Sequence, residues 1–357
     1  MVSQIARNAE ADGLDHPQVR QQAALGTEGK HTSNIFRDLC KVARPGHFER
    51  SLGLITIPIK FNPVLAVRWP QHILDPHAVF SYMYNNTPRA FEHRMCGGDF
   101  ANIRSFWSEM KLYQNPMYLT HPVRDRFDHF DKAVPLSLHG DGCPVSGFGK
   151  SWLEIAEIYS WRSLLAQGAS WMMNIMIFFM YVGIMATHEG IHTRDRFFRR
   201  LRWSLHWLQK GKWPTHDEFG TKYVLGTPEG DLAGTWLAAG FYAIMFVLRH
   251  DLDHGRMALQ FPNANSDTPC GCCSANATTM PWQDFGARDL EPAWFLTMWI
   301  TLGPEAWMSA HADKPALFYV AGLIGLLYIP DWMHCKNIGT DCEFFGSLLT
   351  YFVYLMS

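Results

Sequence analysis

Alternating apolar and polar positions predict a β-hairpin in the middle of the chain. Residues 134–139 alternate as a half-buried strand does, residues 145–150 suit a turn, and residues 151–161 alternate again. The glycines on both sides of Asp141 are expected to break the first strand and expose the carboxylate. We therefore predict that Asp141 ends a buried strand in a polar site that could bind metal. An ordinary Asp-Gly turn is the alternative.

Further along the chain, after the predicted hairpin, the spacing of apolar residues is that of a helix. Residues 193–209 carry apolar side chains at intervals of three and four, which predicts an amphipathic helix. Residues 240–248 are continuously apolar and predict a buried strand that ends at residues 249–251. Short helices are predicted on both sides of a Gly-Gly break at 97–98, and a further helix at about 334–354.

The order of these elements favours an α/β protein with an RNase H-like mixed sheet, a helical and loop insertion, and a polar N-terminal region. We predict a flexible leader at 1–35, a helical region at 36–130 and an RNase H-like catalytic-type domain at 131–357. A cysteine-containing insertion is expected at about 255–315. The sequence stops at Ser357 inside a predicted apolar helix, which suggests C-terminal truncation of this domain.

One segment supports a different class of protein. Residues 163–188 contain no Asp, Glu, Lys or Arg, and residues 168–187 are long enough to span a bilayer as a helix. The same segment suits a buried core element, because central strands of α/β proteins are apolar throughout. Asn174 and the many Met and aromatic residues favour burial inside protein.

The composition of the chain limits the kinds of molecule that it could bind. The 357 residues are 48% hydrophobic and 18% charged with a net charge of −2, so nucleic acid could bind only through a local basic patch. The predicted amphipathic helix supplies such a patch, followed by Lys210 and Lys212. Its arginines are Arg194, Arg196, Arg199, Arg200 and Arg202. A solvated helix face is the alternative interpretation.

Carboxylates occur in three groups that could meet in one site. Beside Asp141, Asp251 and Asp253 follow the second predicted strand, and Asp331 and Asp341 flank the start of the last predicted helix. Hard oxygen ligands of this kind suit Mg²⁺ or Mn²⁺, and two such ions can clamp a phosphoryl group during its displacement. Helix caps and solvated acids explain the second and third groups equally simply.

The eight cysteines indicate a reducing compartment, and the N-terminus lacks the apolar region of a signal peptide. Cys270 and Cys273 supply half of a tetrahedral zinc site, with free thiols in a loop as the alternative. Candidates for the other ligands are His254, His311, His334, Cys335 and Cys342.

Motifs over roughly residues 90–357 resemble a large family of proteins from dinoflagellate algae, a likeness that implies no activity. The motifs are Phe106–Trp107, His121–Pro122, Val134–Gly142, Gly147–Trp152, Pro228–Gly230, Asp251–Asp253, Pro269–Cys272 and Asp331–Lys336.

The order of four features is similar to CACTA-type transposases, which are DDE/DDD enzymes on an RNase H-like fold. They are the Asp-Gly after a strand, the Asp after a second strand, the Cys-x-x-Cys, and the Asp-x-Met-His before a helix. The resemblance implies that Asp141 and Asp251 are the first two catalytic carboxylates. The family has Glu two residues after the His, where this chain has Lys336, so the third is left open among Asp331, Asp341 and Glu343.

The resemblance implies a transposase-derived domain, active or relict, that cleaves DNA phosphodiester bonds and transfers strands with Mg²⁺ or Mn²⁺ in the nucleus. Two alternatives remain open at this point. One is a membrane protein anchored by residues 168–187, and the other is a catalytically dead, zinc-containing binding protein.

Overall fold

The computed structural model describes residue 20 and fourteen stretches of the compact unit Leu52–Ser357. These stretches are residues 52–60, 66–119, 121, 124, 130–146, 154–169, 173–188, 191–250, 252–262, 266–270, 273–281, 293–300, 315–320 and 328–330. The predicted leader at 1–35 and the predicted helix at 334–354 lie outside the described residues.

An antiparallel ribbon and four helices precede the main sheet. Strands β1 (Leu52–Lys60) and β2 (Ala66–Leu74) pair with each other. The helices are α1 (Pro76–Asn86), α2 (Pro88–Cys96), α3 (Ala101–Leu112) and the short α4 (Pro116–Leu119). Gly97 ends α2 in the left-handed conformation with φ 67°, as a glycine C-cap does, which confirms the predicted break between two short helices.

The predicted hairpin is confirmed. Strands β3 (Ala133–Ser146) and β4 (Glu154–Ser163) pair antiparallel, and β5 (Ile175–Tyr181) pairs antiparallel with β4. The short strands β6 (Thr187–His188) and β7 (Ile191–His192) follow and lead into helix α5 (Thr193–Lys210), the predicted amphipathic helix. Its Phe197 ring stacks on Phe178 of β5 with centroids 4.2 Å apart.

The second half of the unit returns to the sheet. Helix α6 (Pro228–Leu232) precedes β8 (Tyr242–His250), which is the predicted buried strand and is followed by α7 (Leu252–Leu259). Helix α8 (Ala293–Ile300) and strand β9 (Tyr328–Pro330) come last among the described elements. β8 lies parallel to β3, and β9 lies parallel to β8.

The result is a mixed five-stranded sheet in the order β5-β4-β3-β8-β9. Helices pack on it through large aromatic side chains. Trp107 of α3 donates its indole N–H to the Ala133 carbonyl at 2.7 Å, and its ring meets Phe246 of β8. The protein is therefore of mixed α/β class, with the ends of β3 and β8 side by side.

The candidate membrane segment forms a strand and a turn. Within residues 168–187, Ile175–Tyr181 is β5 and Val182–Ile184 is a 3-10 turn. Across the stretches of chain given above, no helix is both long and apolar enough to cross a bilayer.

Candidate functional site at the ends of β3 and β8

Asp141 lies inside β3 rather than after it. Its Cα pairs with Ile158 of β4, and the β3–β4 ladder continues beyond it to Ser146. The neighbouring parallel ladder ends one residue earlier, where Gly140 pairs with His250 of β8. Asp141 is partly buried. The sequence-based expectation of a strand break was wrong, although Asp141 does come directly after the last described pair between the two parallel strands.

Packing rather than a turn explains Gly140. A Cβ at this position would lie 2.4 Å from His254 Nε2 and 2.8 Å from Tyr159 Cε1. Gly142 is less crowded, with Ile155 Cγ2 at 3.2 Å from its hypothetical Cβ. Neither glycine has the positive φ that would require glycine for conformational reasons. Glycine at position 140 therefore allows the imidazole of His254, in α7, to pack directly against β3.

His254 is buried beside this end of the sheet, with 7% of its surface exposed. Its Nδ1 lies 3.7 Å from Glu157 Oε1, and its ring meets Tyr159 edge to face. Burial, and then the positive charges of His250, Arg194 and His139, lower the pKa of His254 to about 3. The imidazole is therefore neutral at neutral pH and forms no ion pair with the nearby carboxylate.

Glu157 is an acid that the sequence patterns did not identify as part of a site. It lies on β4, is 3% exposed, and accepts two hydrogen bonds of 3.0 Å from Arg194 Nε. The Tyr159 hydroxyl donates to it at 3.0 Å. The sequence signal that could have identified Glu157 is its position as an acid in the middle of a strand with alternating polarity. Because its charge is already balanced by Arg194, we do not count this carboxylate among the metal ligands.

The described residues do not by themselves form a metal site. In this part of the chain no group of three or more His, Cys, Asp and Glu side chains could hold a metal ion. Asp253 lies within α7, but its side chain is outside the described part. Asp251, Asp331, His334 and Asp341 are also outside the described residues. Of the predicted carboxylates, only the position of Asp141 is thus established.

The predicted basic patch on α5 is largely neutralised within the chain. Arg194 pairs with Glu157, Arg196 with Glu218 at 2.5 Å, and Arg200 with both Glu218 and Asp75. Arg199 pairs with Asp195 one turn away but stays 68% exposed. Arg202 is exposed beside the Tyr319 ring. Only these last two arginines offer phosphate-binding charge at the surface.

Arg199 and Arg202 line a pocket of about 580 Å³ on the outer side of α5. Trp203, His206 and Tyr319 also line it, and Glu218 and Asp195 contribute acids. The pocket therefore combines aromatic rings with charges of both signs.

Cys270 and Cys273 lie close enough for their thiols to hydrogen-bond. Burial and this hydrogen bond together raise the pKa of Cys273 to about 11. The pair offers the two sulfur ligands that the spacing predicted, and no third ligand joins them among the described residues. Zinc binding stays a prediction.

Comparison of the chain with protein-family models, with curated proteins and with solved structures found no match.

Proposed function

We propose that this chain is a transposase-derived, RNase H-like domain that cleaves DNA phosphodiester bonds with Mg²⁺ or Mn²⁺, using Asp141 and Asp251 as metal-binding carboxylates. The observation that carries the proposal is the register of the two central strands. Gly140 pairs with His250 in a parallel ladder, and Asp141 and Asp251 directly follow these two residues in the sequence.

Strand direction supports a shared site. Equivalent residues of neighbouring parallel strands point to the same face, because side chains alternate with a period of two. His139 pairs with Arg249, and two residues further on come Asp141 and Asp251. If the register continues by one residue, both carboxylates project from one face within reach of a common ion. Two carboxylates so close would repel each other unless a cation balanced them.

The order of elements supports the RNase H-like assignment. Three antiparallel strands are followed by a long helix and then by a strand parallel to the first. This is the order of strand, hairpin, helix and strand that the resemblance requires. Lys336 stands where the resemblance implies Glu, and the proposal therefore assigns no third carboxylate.

The residues around Asp141 have separable roles in this proposal. A bound divalent ion would activate a water or hydroxyl and stabilise the developing charge on the phosphate. Asp141 and Asp251 would hold the ion. Arg194 keeps the carboxylate of Glu157 engaged, and His254 stays neutral against Gly140. These contacts support the part of β3 that carries Asp141.

The test measures nicking of supercoiled plasmid by the purified full-length chain with Mn²⁺ or Mg²⁺. We expect D141N and D251N each to lower the cleavage rate by more than about 100-fold, since even changes behind a metal ligand cost about 10- to 100-fold. D267N, at an exposed acid outside the strands, is the matched control and should cleave normally.

Melting temperature with added Mn²⁺ separates binding from activity. An ion present at about 100 times its Kd stabilises a fold by about 2.7 kcal/mol, so wild type should melt at a higher temperature and D141N should not respond. Stabilisation without nicking would identify a relict enzyme. The proposal fails if wild type and D141N show the same response to Mn²⁺ and the same cleavage.

A further inference from the structure

A second pocket, of about 1170 Å³, lies next to the C-terminal end of α5. Its described lining includes Lys132, Lys210 and Lys212, together with the rings of Trp207 and Trp236. Asp131 is the one acid among the described lining residues. The pocket therefore carries a net positive charge and an aromatic surface, which the proposed DNA-cleaving site does not use.

The lysines lie beside aromatic rings. Lys210 Nζ is 4.7 Å from the centroid of the Trp207 ring, and Lys212 Nζ is 5.0 Å from that of Trp236. Lys210 and Lys212 are both exposed. Each ammonium group can attract an anion, and the exposed ring of Trp236 offers a flat apolar surface, whereas Trp207 is buried.

Trp236 is held in place although it is 58% exposed. It forms an antiparallel bridge with Lys212, which brings the two side chains to the same side of the backbone. Hydrogen bonds on both sides of the bridge fix it, from Trp213 N to Thr235 O at 2.9 Å and from Leu237 N to Gly211 O at 2.9 Å. The indole is thus a preformed platform rather than a side chain on a free loop.

A second part of the lining, at Ala239 and Gly240, is also fixed. Ala239 has a φ of 47° and Gly240 a φ of 90°, in a tight turn that closes with Phe241 N donating to Ala238 O at 2.8 Å. The Lys132 ammonium donates to the Ala239 carbonyl at 3.0 Å. Ala239 is thus a non-glycine residue in the left-handed region, and strained backbone of this kind is concentrated at functional sites.

We propose that this pocket binds a nucleotide unit, with its base stacked on Trp236 and its phosphate between Lys210 and Lys212. Stacking on an exposed aromatic ring next to cationic side chains is how proteins hold unpaired bases without reading their sequence. The volume accommodates a nucleotide, since pockets for small molecules span about 300–1,000 Å³. The unit can be a free nucleotide or part of single-stranded DNA, because both present a base and a phosphate.

The experiment uses the full-length chain and a fluorescently labelled oligothymidylate of about 12 nucleotides, with binding followed by anisotropy. W236A should bind about 5- to 100-fold more weakly, from the loss of one stacked base. W236F should retain most of the affinity because it keeps a ring. The matched control is W69A, since Trp69 on β2 is 55% exposed.

The lysines are tested by the dependence of binding on salt. K210Q and K212Q should each lower the slope of log affinity against log salt concentration by about 0.7, because each removes one phosphate contact. K222Q removes an exposed lysine that is not part of the pocket and should leave the slope unchanged. Melting temperatures of all variants should match wild type, because the changed side chains are exposed.

Three competitors separate the sources of the ligand. An abasic oligonucleotide of equal length tests the need for a base, and thymidine monophosphate and inorganic phosphate test the need for a chain. Competition by the monophosphate supports a free-nucleotide site, and competition by intact oligonucleotide alone supports single-stranded DNA. The proposal is overturned if the abasic strand binds as tightly as oligothymidylate, if W236A binds like W69A, or if wild type binds none of these probes.

This inference stands apart from the proposed catalysis. D141N keeps the pocket intact and should bind oligothymidylate as wild type does, whether or not it has lost cleavage. W236A should lose binding even if no variant cleaves DNA.

Discussion

Ionisable side chains are buried where β3, β4 and α5 meet, and each is stabilised in a different way. Glu157 pairs with Arg194, whose Nε–H donates to both carboxylate oxygens at 3.0 Å. His254, 3.7 Å away from Glu157, is neutral instead. Burial destabilises a charged imidazolium by more than its attraction to the Glu157 carboxylate can offset, because that carboxylate already pairs with Arg194. His250, Arg194 and His139 lower the pKa of His254 further. The charge of a buried group in this region therefore depends on its own immediate neighbours.

The lowered pKa of His254 makes the fold sensitive to acid. The unfolded chain binds a proton at this residue near pH 6.5, whereas the folded chain binds it only near pH 3. Stability is therefore complete above about pH 6.5 and is lost as the pH falls toward 3, by about 1.4 kcal/mol per pH unit for one such group.

H254F should remove this contribution while retaining the ring. Chemical denaturation between pH 4 and 8 should show a free energy of unfolding whose slope against pH is smaller than that of wild type below about pH 6.5. Above pH 7 the two proteins should differ by a constant. Equal slopes throughout the acid range would show that His254 is not kept neutral by the fold.

At the level of elements, the contact between β3 and α7 depends on one missing side chain. Helix α7 lies over the strand because Gly140 leaves room for the imidazole of His254 and the ring of Tyr159. Both rings are buried, so neither can move aside freely. The glycine thus aligns the end of the strand that carries Asp141 with the helix that follows β8.

G140A should therefore destabilise the protein by about 1–3 kcal/mol, the usual cost of overpacking a core. Urea denaturation gives the free energy of unfolding. G183A is the control, since a Cβ at Gly183 meets no atom within 4 Å. In the double variant G140A/H254A part of the penalty should disappear, because the contact with Tyr159 Cε1 remains. A penalty that is unchanged by H254A would show that contact with His254 is not what requires the glycine.

Across the whole molecule, Arg200 joins three distant segments. It donates to Asp75 at the start of α1 at 2.6 and 3.0 Å, and to Glu218 in the segment between α5 and α6 at 2.5 Å. The side chain also covers the Trp203 ring, at 4.1 Å from its centroid. Burial would raise the pKa of Glu218, but Arg200 and then Arg196 hold it below its usual value. Charges remote in sequence therefore stabilise one arrangement of helices.

R200M should lower the free energy of unfolding by about 3–5 kcal/mol, because it leaves two nearly buried carboxylates without their main partner. R199M changes an arginine of the same helix whose pair is exposed, and should cost no more than about 1 kcal/mol. Thermal and urea unfolding of both variants provide the measurement. Similar losses for the two variants would show that the buried pairs contribute little beyond surface charge.

The elements themselves could be predicted because their signals are local. The alternation on both sides of Asp141, the spacing of apolar residues in α5 and the apolar run of β8 each depend on neighbouring residues along the chain. The state of the α5 arginines could not be predicted in this way. Asp75 and Glu218, which neutralise Arg200, lie 125 and 18 residues away in sequence.

The sequence by itself determined the hairpin around Asp141 and the apolar strand before Asp251, although it misplaced Asp141 at the end of its strand. Only the tertiary structure decided that these strands are parallel neighbours, with Gly140 level with His250. It also decided that Gly140 makes room for the His254 side chain rather than forming a turn, and that Lys212 lies beside Trp236. The physical reason is that periodicity specifies which face of an element is buried, whereas strand partners and charge pairs depend on packing between residues remote along the chain.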